Sequence, residues 1–546
     1  MNKKWWKEAV VYQVYPRSFM DSDGNGLGDI NGITSKLDYL KELGIDVIWV
    51  CPMYKSPNDD NGYDISDYQA ILEDFGTMED FDRLLEEVHT RGMKLIIDLV
   101  INHTSDEHPW FVESRSSRHN PKRDWYVWRD EPLNWESIFG GPAWEYDEKT
   151  GQYYLHVFSK KQPDLNWENP EVRNELFKMV NWWVAKGIDG FRVDAISHIK
   201  KEYTNVPDLD GHLFVPSWEK MMNVDGIQPL LQELYDETFS KHDIMTVGEA
   251  NGVSADEIHD WVSPENGKFN MIFQFEDIGL WNTEVRNGVN VPELKAVLSK
   301  WQEKVNGNGW NALFIENHDR PRIVSTWGND QSYWRESATA LGCMYFFMQG
   351  TPFIYQGQEI GMTNAPFEEL DHFDDVHTHN LYFHKKESGM EHDAIMTVLR
   401  ATSRDHSRTP MQWNSSNHAG FSDVLPWMGV NPNYEWLNVE AQENDPHSVL
   451  SFYKQMIWLR KNMDVFVYGD YQLVDMNHDS VFAYTRENED DKVLVVTNLA
   501  QHAVLCAVDP EDSTLLLANH QNIDPAQLLP YEARVYKIPK DTNLNG

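Results

Sequence analysis

Gly187-Ile188-Asp189-Gly190-Phe191-Arg192-Val193-Asp194-Ala195-Ile196 is the stretch on which the reading of this chain turns. A short apolar run with period-two alternation ends in an acid and follows a glycine-punctuated helical pattern. It reads as a buried strand whose last side chains emerge at a mouth. Arg192 and Asp194, two residues apart, project from one face, so the guanidinium is expected to hold the carboxylate ionised by charge and hydrogen bonding. One such pair, taken alone, is more readily a structural ion pair at a sheet end. Repetition elsewhere in the chain decides between the two.

Strand-like runs recur at 10–15, 45–50, 94–101, 188–194, 244–248, 271–275, 312–315 and 352–355. Helical patterns lie between most of them, as at 80–90 and 170–186, where Asn169 is placed as the N-cap and Pro170 as the first helical residue. Eight strands alternating with helices predict an α/β fold, a (β/α)8 TIM barrel, whose chemistry gathers at the C-terminal strand ends. Polar residues cluster there: Asp98 to His103, then Arg192 and Asp194, then Glu249, then Asn317-His318-Asp319. Four clusters on one rim point to a catalytic funnel.

The barrel is expected in two parts, 1–103 and 170–464, separated by a small inserted domain at 104–169 after the third strand. That insertion is rich in Trp and Tyr and far longer than an ordinary βα loop. A polar excursion at 361–446 follows the eighth strand and reads as a solvated loop. His377 and His379 within it lack the partner spacing of a metal site. An amphipathic helix at 448–461 closes the barrel, and short alternating runs in 465–546 predict an all-β C-terminal domain.

With 546 residues the chain is long enough for several domains, and its formal charge of -40 sets it against nucleic-acid backbones and anionic lipid. A neutral ligand suits such a surface. Cys51, Cys343 and Cys506 are far apart in apolar settings and read as buried thiols. No segment is apolar for long enough to span a bilayer, and no cleavable leader pattern opens the chain. The expectation is a cytoplasmic protein, monomeric or weakly dimeric, without nucleic-acid or membrane partners.

Near the start, Asp21-Ser22-Asp23-Gly24-Asn25-Gly26-Leu27-Gly28-Asp29 places side-chain oxygens at positions one, three, five and nine of a loop with glycine at six. Hard oxygen ligands at this spacing suit Ca²⁺. Gly32 stands at position twelve, where an EF-hand carries its bidentate Glu, so a structural Ca²⁺ loop of another kind is expected.

Taken in order, Asp98-Leu99-Val100-Ile101-Asn102-His103, Gly190-Phe191-Arg192-Val193-Asp194, Val247-Gly248-Glu249-Ala250 and Phe314-Ile315-Glu316-Asn317-His318-Asp319 resemble the four signature segments of the α-amylase family of retaining glycoside hydrolases. Val11-Tyr12-Gln13-Val14-Tyr15-Pro16, Gln162-Pro163-Asp164-Leu165-Asn166 and Arg404-Asp405-His406-Ser407-Arg408 are similar to its bacterial α-glucosidase and oligo-1,6-glucosidase branch. The resemblance implies Asp194 as nucleophile, Glu249 as general acid and base, and Asp319 as a third carboxylate gripping the sugar. It implies that Asp64, His103, Arg192, His318 and Arg404 bind the innermost glucose; Tyr63, Phe158 and Ala195 complete the expected substrate-binding set. It also implies Asp21, Asp23, Asn25, the Leu27 carbonyl and Asp29 as Ca²⁺ ligands.

Relatives that cleave α-1,6 bonds typically carry Val after the nucleophile, and α-1,4-acting relatives a smaller residue. Ala195 therefore leads to the expectation of an exo-acting α-glucosidase favouring α-1,4 bonds of maltose and short malto-oligosaccharides, with possible transglucosylation. The alternatives are an oligo-1,6-glucosidase and, more remotely, a sucrose isomerase, a trehalose-phosphate hydrolase or a non-catalytic barrel acting as an interaction domain.

Overall fold

The computed structural model describes residues 3–209, 211, 213–276, 278–281, 288–506, 512–542 and 544. Eight parallel strands form the central sheet: β1 Val11–Val14, β2 Val47–Val50, β3 Lys94–Val100, β4 Gly190–Asp194, β5 Met245–Glu249, β6 Met271–Phe273, β7 Ala312–Leu313 and β8 Thr351–Tyr355. Their order is β6-β5-β4-β3-β2-β1-β8-β7, and a parallel bridge from Ile272 to Asn311 closes the two ends into a barrel.

Period-two alternation sorts the strand side chains into two apolar clusters. Val11, Val47, Trp49, Ile96, Val247, Met271, Phe273 and Phe353 pack inside the barrel, whereas Tyr12, Ile48, Val50, Leu95, Ile97, Phe191 and Val193 join the larger core shared with the helices. In β4, Phe191 and Val193 face outward, so the alternate residues Gly190, Arg192 and Asp194 face the barrel axis. Gly190 has φ +150°, and a Cβ there would lie 1.9 Å from the Met245 carbonyl oxygen, so β4 and β5 pair as closely as they do only around a glycine.

The preceding helix, Pro170–Lys186, begins as the sequence predicts. The Asn169 side chain accepts from the Glu171 amide, Pro170 opens the helix, and Gly187 at φ +104° ends it.

The insertion folds around a three-stranded sheet, Trp128–Arg129, Gln152–Leu155 and Trp144–Asp147, with the helix Pro109–Ser114 against it. Its seam with the barrel is polar and buried. Lys201 pairs with Asp164 and donates to Asn102 Oδ1 at 2.9 Å, and Asp164 also accepts from the Val157 amide at 2.8 Å. The C-terminal strands Asp470–Val474, Val481–Glu487, Lys492–Asn498, Ala533–Ile538 and Thr514–Ala518 form an antiparallel sheet.

The excursion at 361–446 departs from the solvated loop expected of it. Helices Val376–Glu387 and His392–Thr402 close on an apolar cluster of Phe367, Phe373, Tyr382, Ile395, Met396 and Leu399. Among the described residues no helix is long and apolar enough to cross a membrane.

Candidate active site

A cavity of about 410 Å³ opens at the C-terminal ends of the barrel strands. Asp194, Ala195, Glu249 and Asp319 reach it from the strand ends, Asp60, Tyr63 and His103 from the early loops, and Phe139 and Phe158 from the insertion. His377, Leu381 and Arg404 come from the excursion. Its size and mixed lining suit a small ligand.

Arg192 lies behind this wall, 3% exposed, and is shared by three acids. Its Nη1 donates to Asp98 Oδ1 and to Asp194 Oδ1, both at 2.7 Å, and its Nη2 donates to Glu249 Oε2 at 2.6 Å. Glu249 Oε2 also accepts from the Ala195 amide at 3.0 Å. Asp98 is fixed from its other oxygen by Trp49 Nε1 at 3.0 Å and the Tyr63 hydroxyl at 3.1 Å.

Here the expected one-to-one pairing of Arg192 with Asp194 needs correction. One positive charge serves three carboxylates, so Asp194 does not hold the guanidinium alone. Burial, then Glu249, Asp98 and Asp319, raise the Asp194 carboxyl well above the usual range against the pull of Arg192. Burial likewise pushes Asp98 up to about 6 despite the guanidinium.

Asp319 experiences the opposite field. Burial raises its carboxyl, but His318, Arg404 and Arg408 outweigh that and hold it well below the usual range. Arg404 Nη1 donates to Asp319 Oδ1 at 3.0 Å and Arg408 Nη2 to the same oxygen at 3.1 Å. Arg404 in turn is held by Asp60 at 3.1 Å and through its Nε by Asp375 at 3.1 Å. Asp375 caps the helix Val376–Glu387, accepting from the His377 and Thr378 amides, so the excursion and the third carboxylate are mechanically joined.

Of the residues expected to bind substrate, Tyr63, His103, Phe158, Ala195 and Arg404 line the cavity, whereas Arg192 and His318 stand behind its wall. Asp64 does not reach it. It is fully buried and accepts from the Asp59 and Asp60 amides at 2.8 and 3.0 Å, so it shapes the loop, and Asp60 takes the place at the wall. Burial keeps His103 neutral, pushing it down to about 4. Its edge meets Phe158 with ring centroids 5.3 Å apart.

Sequence reasoning misses Asp60, Asp375 and His377 as parts of this site. The signal for Asp60 was its neighbours. Asn58, Asn61 and Gly62 all adopt positive φ, so Asp60 lies in a tight turn, its side chain buried at the cavity wall.

Ala195 has φ 43° and ψ 34°. This is the left-handed region, sparsely populated by residues other than glycine.

In the N-terminal loop, carboxylate oxygens of Asp21, Asp23 and Asp29 converge to within 4.8 Å of one another. Burial and the charges of Asp29 and Asp21 raise the Asp23 carboxyl, a repulsion that a hard divalent cation would relieve, so the donor set fits Ca²⁺. Asn25 is turned into the loop instead, its Oδ1 accepting from the Leu27 amide at 2.7 Å. Asp21 also accepts from Ser422 Oγ at 2.5 Å, tying this loop to the excursion.

Comparison with known proteins agrees with this arrangement. The alpha amylase catalytic-domain family matches residues 13–469. The probable oligo-1,6-glucosidase 3 of Bacillus subtilis (strain 168) is 56% identical over 98% of this chain and 100% of its own length. The oligo-1,6-glucosidase of Parageobacillus thermoglucosidasius is 48% identical over 98% and 100%. The crystal structure of a trehalose-6-phosphate hydrolase from Bacillus licheniformis, 43% identical, superposes with a TM-score of 0.92 over 98% of this chain and 100% of that one. A closed barrel with its acids gathered at one rim, and relatives matched along almost the whole length, lead to one assignment: the chain belongs to the α-amylase family of glycoside hydrolases.

Proposed function

We propose that this protein is a retaining, exo-acting α-glucosidase that removes α-glucose from the non-reducing end of short isomalto-oligosaccharides by cleaving α-1,6 bonds. The observation that carries it is the pair of carboxylates, Asp194 and Glu249, held on two nitrogens of one guanidinium at the cavity wall. Retaining glycosidases need two carboxyl groups close together, one bonding to the anomeric carbon and one serving the leaving oxygen.

In this reading Asp194 attacks the anomeric carbon while Glu249 gives its proton to the departing oxygen. Glu249 then takes a proton from the water or sugar hydroxyl that releases the glucosyl group, so transglucosylation competes with hydrolysis. Asp319, kept ionised by Arg404 and Arg408, binds ring hydroxyls and stabilises the positive charge of the transition state.

The α-1,6 preference rests on what the matched relatives are named for, oligo-1,6-glucosidase activity. It replaces the expectation of α-1,4 preference drawn from Ala195. A methylene-sized change is worth about 1–3 kcal/mol in discrimination. Ala195 is one wall residue among several, since Trp218, Asn251, Phe275 and Leu381 line the cavity with it. The α-1,4 reading remains the second one because Ala195 does line the cavity. A structural Ca²⁺ held by Asp21, Asp23 and Asp29 belongs to the proposal, bracing the loop that joins β1 to the excursion.

Three outcomes are expected. Initial rates on isomaltose exceed those on maltose and sucrose, and proton NMR detects α-glucose before β-glucose; a maltose preference restores the α-1,4 reading, and β-glucose first removes retention. In Asp98→Asn, one like charge disappears and Arg192 is freed for Asp194, so the acid limb of the kcat/KM profile moves to lower pH. A limb that stays or rises contradicts the sharing of Arg192. Chelation lowers the melting temperature by at least about 4 °C and added Ca²⁺ restores it; an unchanged melting curve rules the ion out.

A further inference from the structure

We propose that Gln13 is a positioning residue that sets the tautomer of His318, so that the imidazole keeps its proton on Nε2, on the side of Asp319. Gln13 sits on β1, facing the barrel axis and 1% exposed. Its Nε2 lies 2.8 Å from His318 Nδ1 and 3.2 Å from Cys51 Sγ. A carboxamide nitrogen has two protons to give and no lone pair to receive one. Both partners must therefore accept, which leaves Nδ1 without a proton.

The far side of the ring gives the same answer independently. His318 Nε2 lies 3.2 Å from Asp319 Oδ2, and that carboxylate, gripped by Arg404 and Arg408, only accepts. A reversed Gln13 amide would require a proton on Nδ1, and a neutral ring would then turn its lone pair against the Asp319 carboxylate. A doubly protonated ring is opposed by burial and by Arg192, Arg408 and Arg404 around it.

The ring is fixed in place by its other neighbours. Tyr63 stacks on it at 5.2 Å and 9°, Tyr15 lies at 6.1 Å, Trp49 meets it edge-on at 6.2 Å, and Arg408 Nε donates to its carbonyl at 3.0 Å. Burial raises the Cys51 thiol, so Cys51 carries no charge toward it. Nε2 is buried without a well-aligned hydrogen bond of its own, so its proton is available beside Asp319 when a sugar hydroxyl arrives. This device deepens the glucosidase reading, and only its kinetic consequence depends on that reading.

The test is nitrogen NMR of histidine-labelled protein, with the His318 signals assigned by difference against His318→Gln. Wild type should show an unprotonated Nδ1 and a protonated Nε2 throughout about pH 5 to 8. In Gln13→Glu the new carboxylate accepts only, so Nδ1 gains a proton and the ring becomes an imidazolium. Its positive charge beside Asp319 opposes the charge of the transition state. The kcat on a nitrophenyl α-glucoside then falls about tenfold with KM nearly unchanged, and a new ionisation enters the pH profile. A proton on Nδ1 in wild type overturns the proposal, as does a Gln13→Glu variant whose ring signals and pH profile match wild type. A wild-type protein with the Nε2–H tautomer but no turnover supports the proposal and overturns the glucosidase reading.

Discussion

A single guanidinium bearing three carboxylates is the constraint on which the site depends. Arg192 emerges from β4 toward the barrel axis because Phe191 and Val193 are drawn into the outer core. From there it reaches Asp98 on β3, Asp194 on its own strand and Glu249 on β5. Three adjacent parallel strands are locked in register at their catalytic ends by one side chain. Buried charge of this kind is costly unless every partner is satisfied. The excess of acid over base around Arg192 raises the carboxyls of Asp194 and Asp98.

Two further charged joints complete the pocket by attaching parts of the chain that are remote in sequence. Lys201, Asp164 and Asn102 fasten the insertion to the barrel, so Phe139 and Phe158 form a wall of fixed position. Arg404, Arg408 and Asp375 fasten the excursion to Asp319. The two joints divide the electrostatics. Burial, Glu249 and Asp98 raise the Asp194 carboxyl beside Arg192; His318, Arg404 and Arg408 outweigh burial and lower that of Asp319. Carboxylates at one rim thereby sit in opposite fields.

Much of this was legible in the sequence, for physical reasons. Barrel strands carry apolar residues on both faces, so β1 to β6 and β8 stand out as short uninterrupted runs, and the acids at their C-terminal ends mark the rim. What stayed hidden depends on contacts between strands or between distant segments. Nothing in the order of residues tells that Asp98 and Glu249 reach the guanidinium already paired with Asp194. The helices Val376–Glu387 and His392–Thr402 bury only a few residues each among many charged ones, which made them look like loop. Asp60 and Asp64 occupy one turn, and only the backbone shows which carboxylate faces the cavity. Ala195 was legible as a small residue, but the left-handed backbone it adopts is not displayed by the sequence.

The central claim is that the Arg192 cluster presents Asp194 as the group that bonds to glucose. The most direct measurement is to treat the protein with 5-fluoro-α-glucosyl fluoride, digest it and locate the trapped sugar by peptide mass spectrometry. The account predicts one fluoroglucosyl adduct, on Asp194. A sugar trapped on Asp98 or Glu249, or no adduct from protein that hydrolyses glucosides, would contradict it.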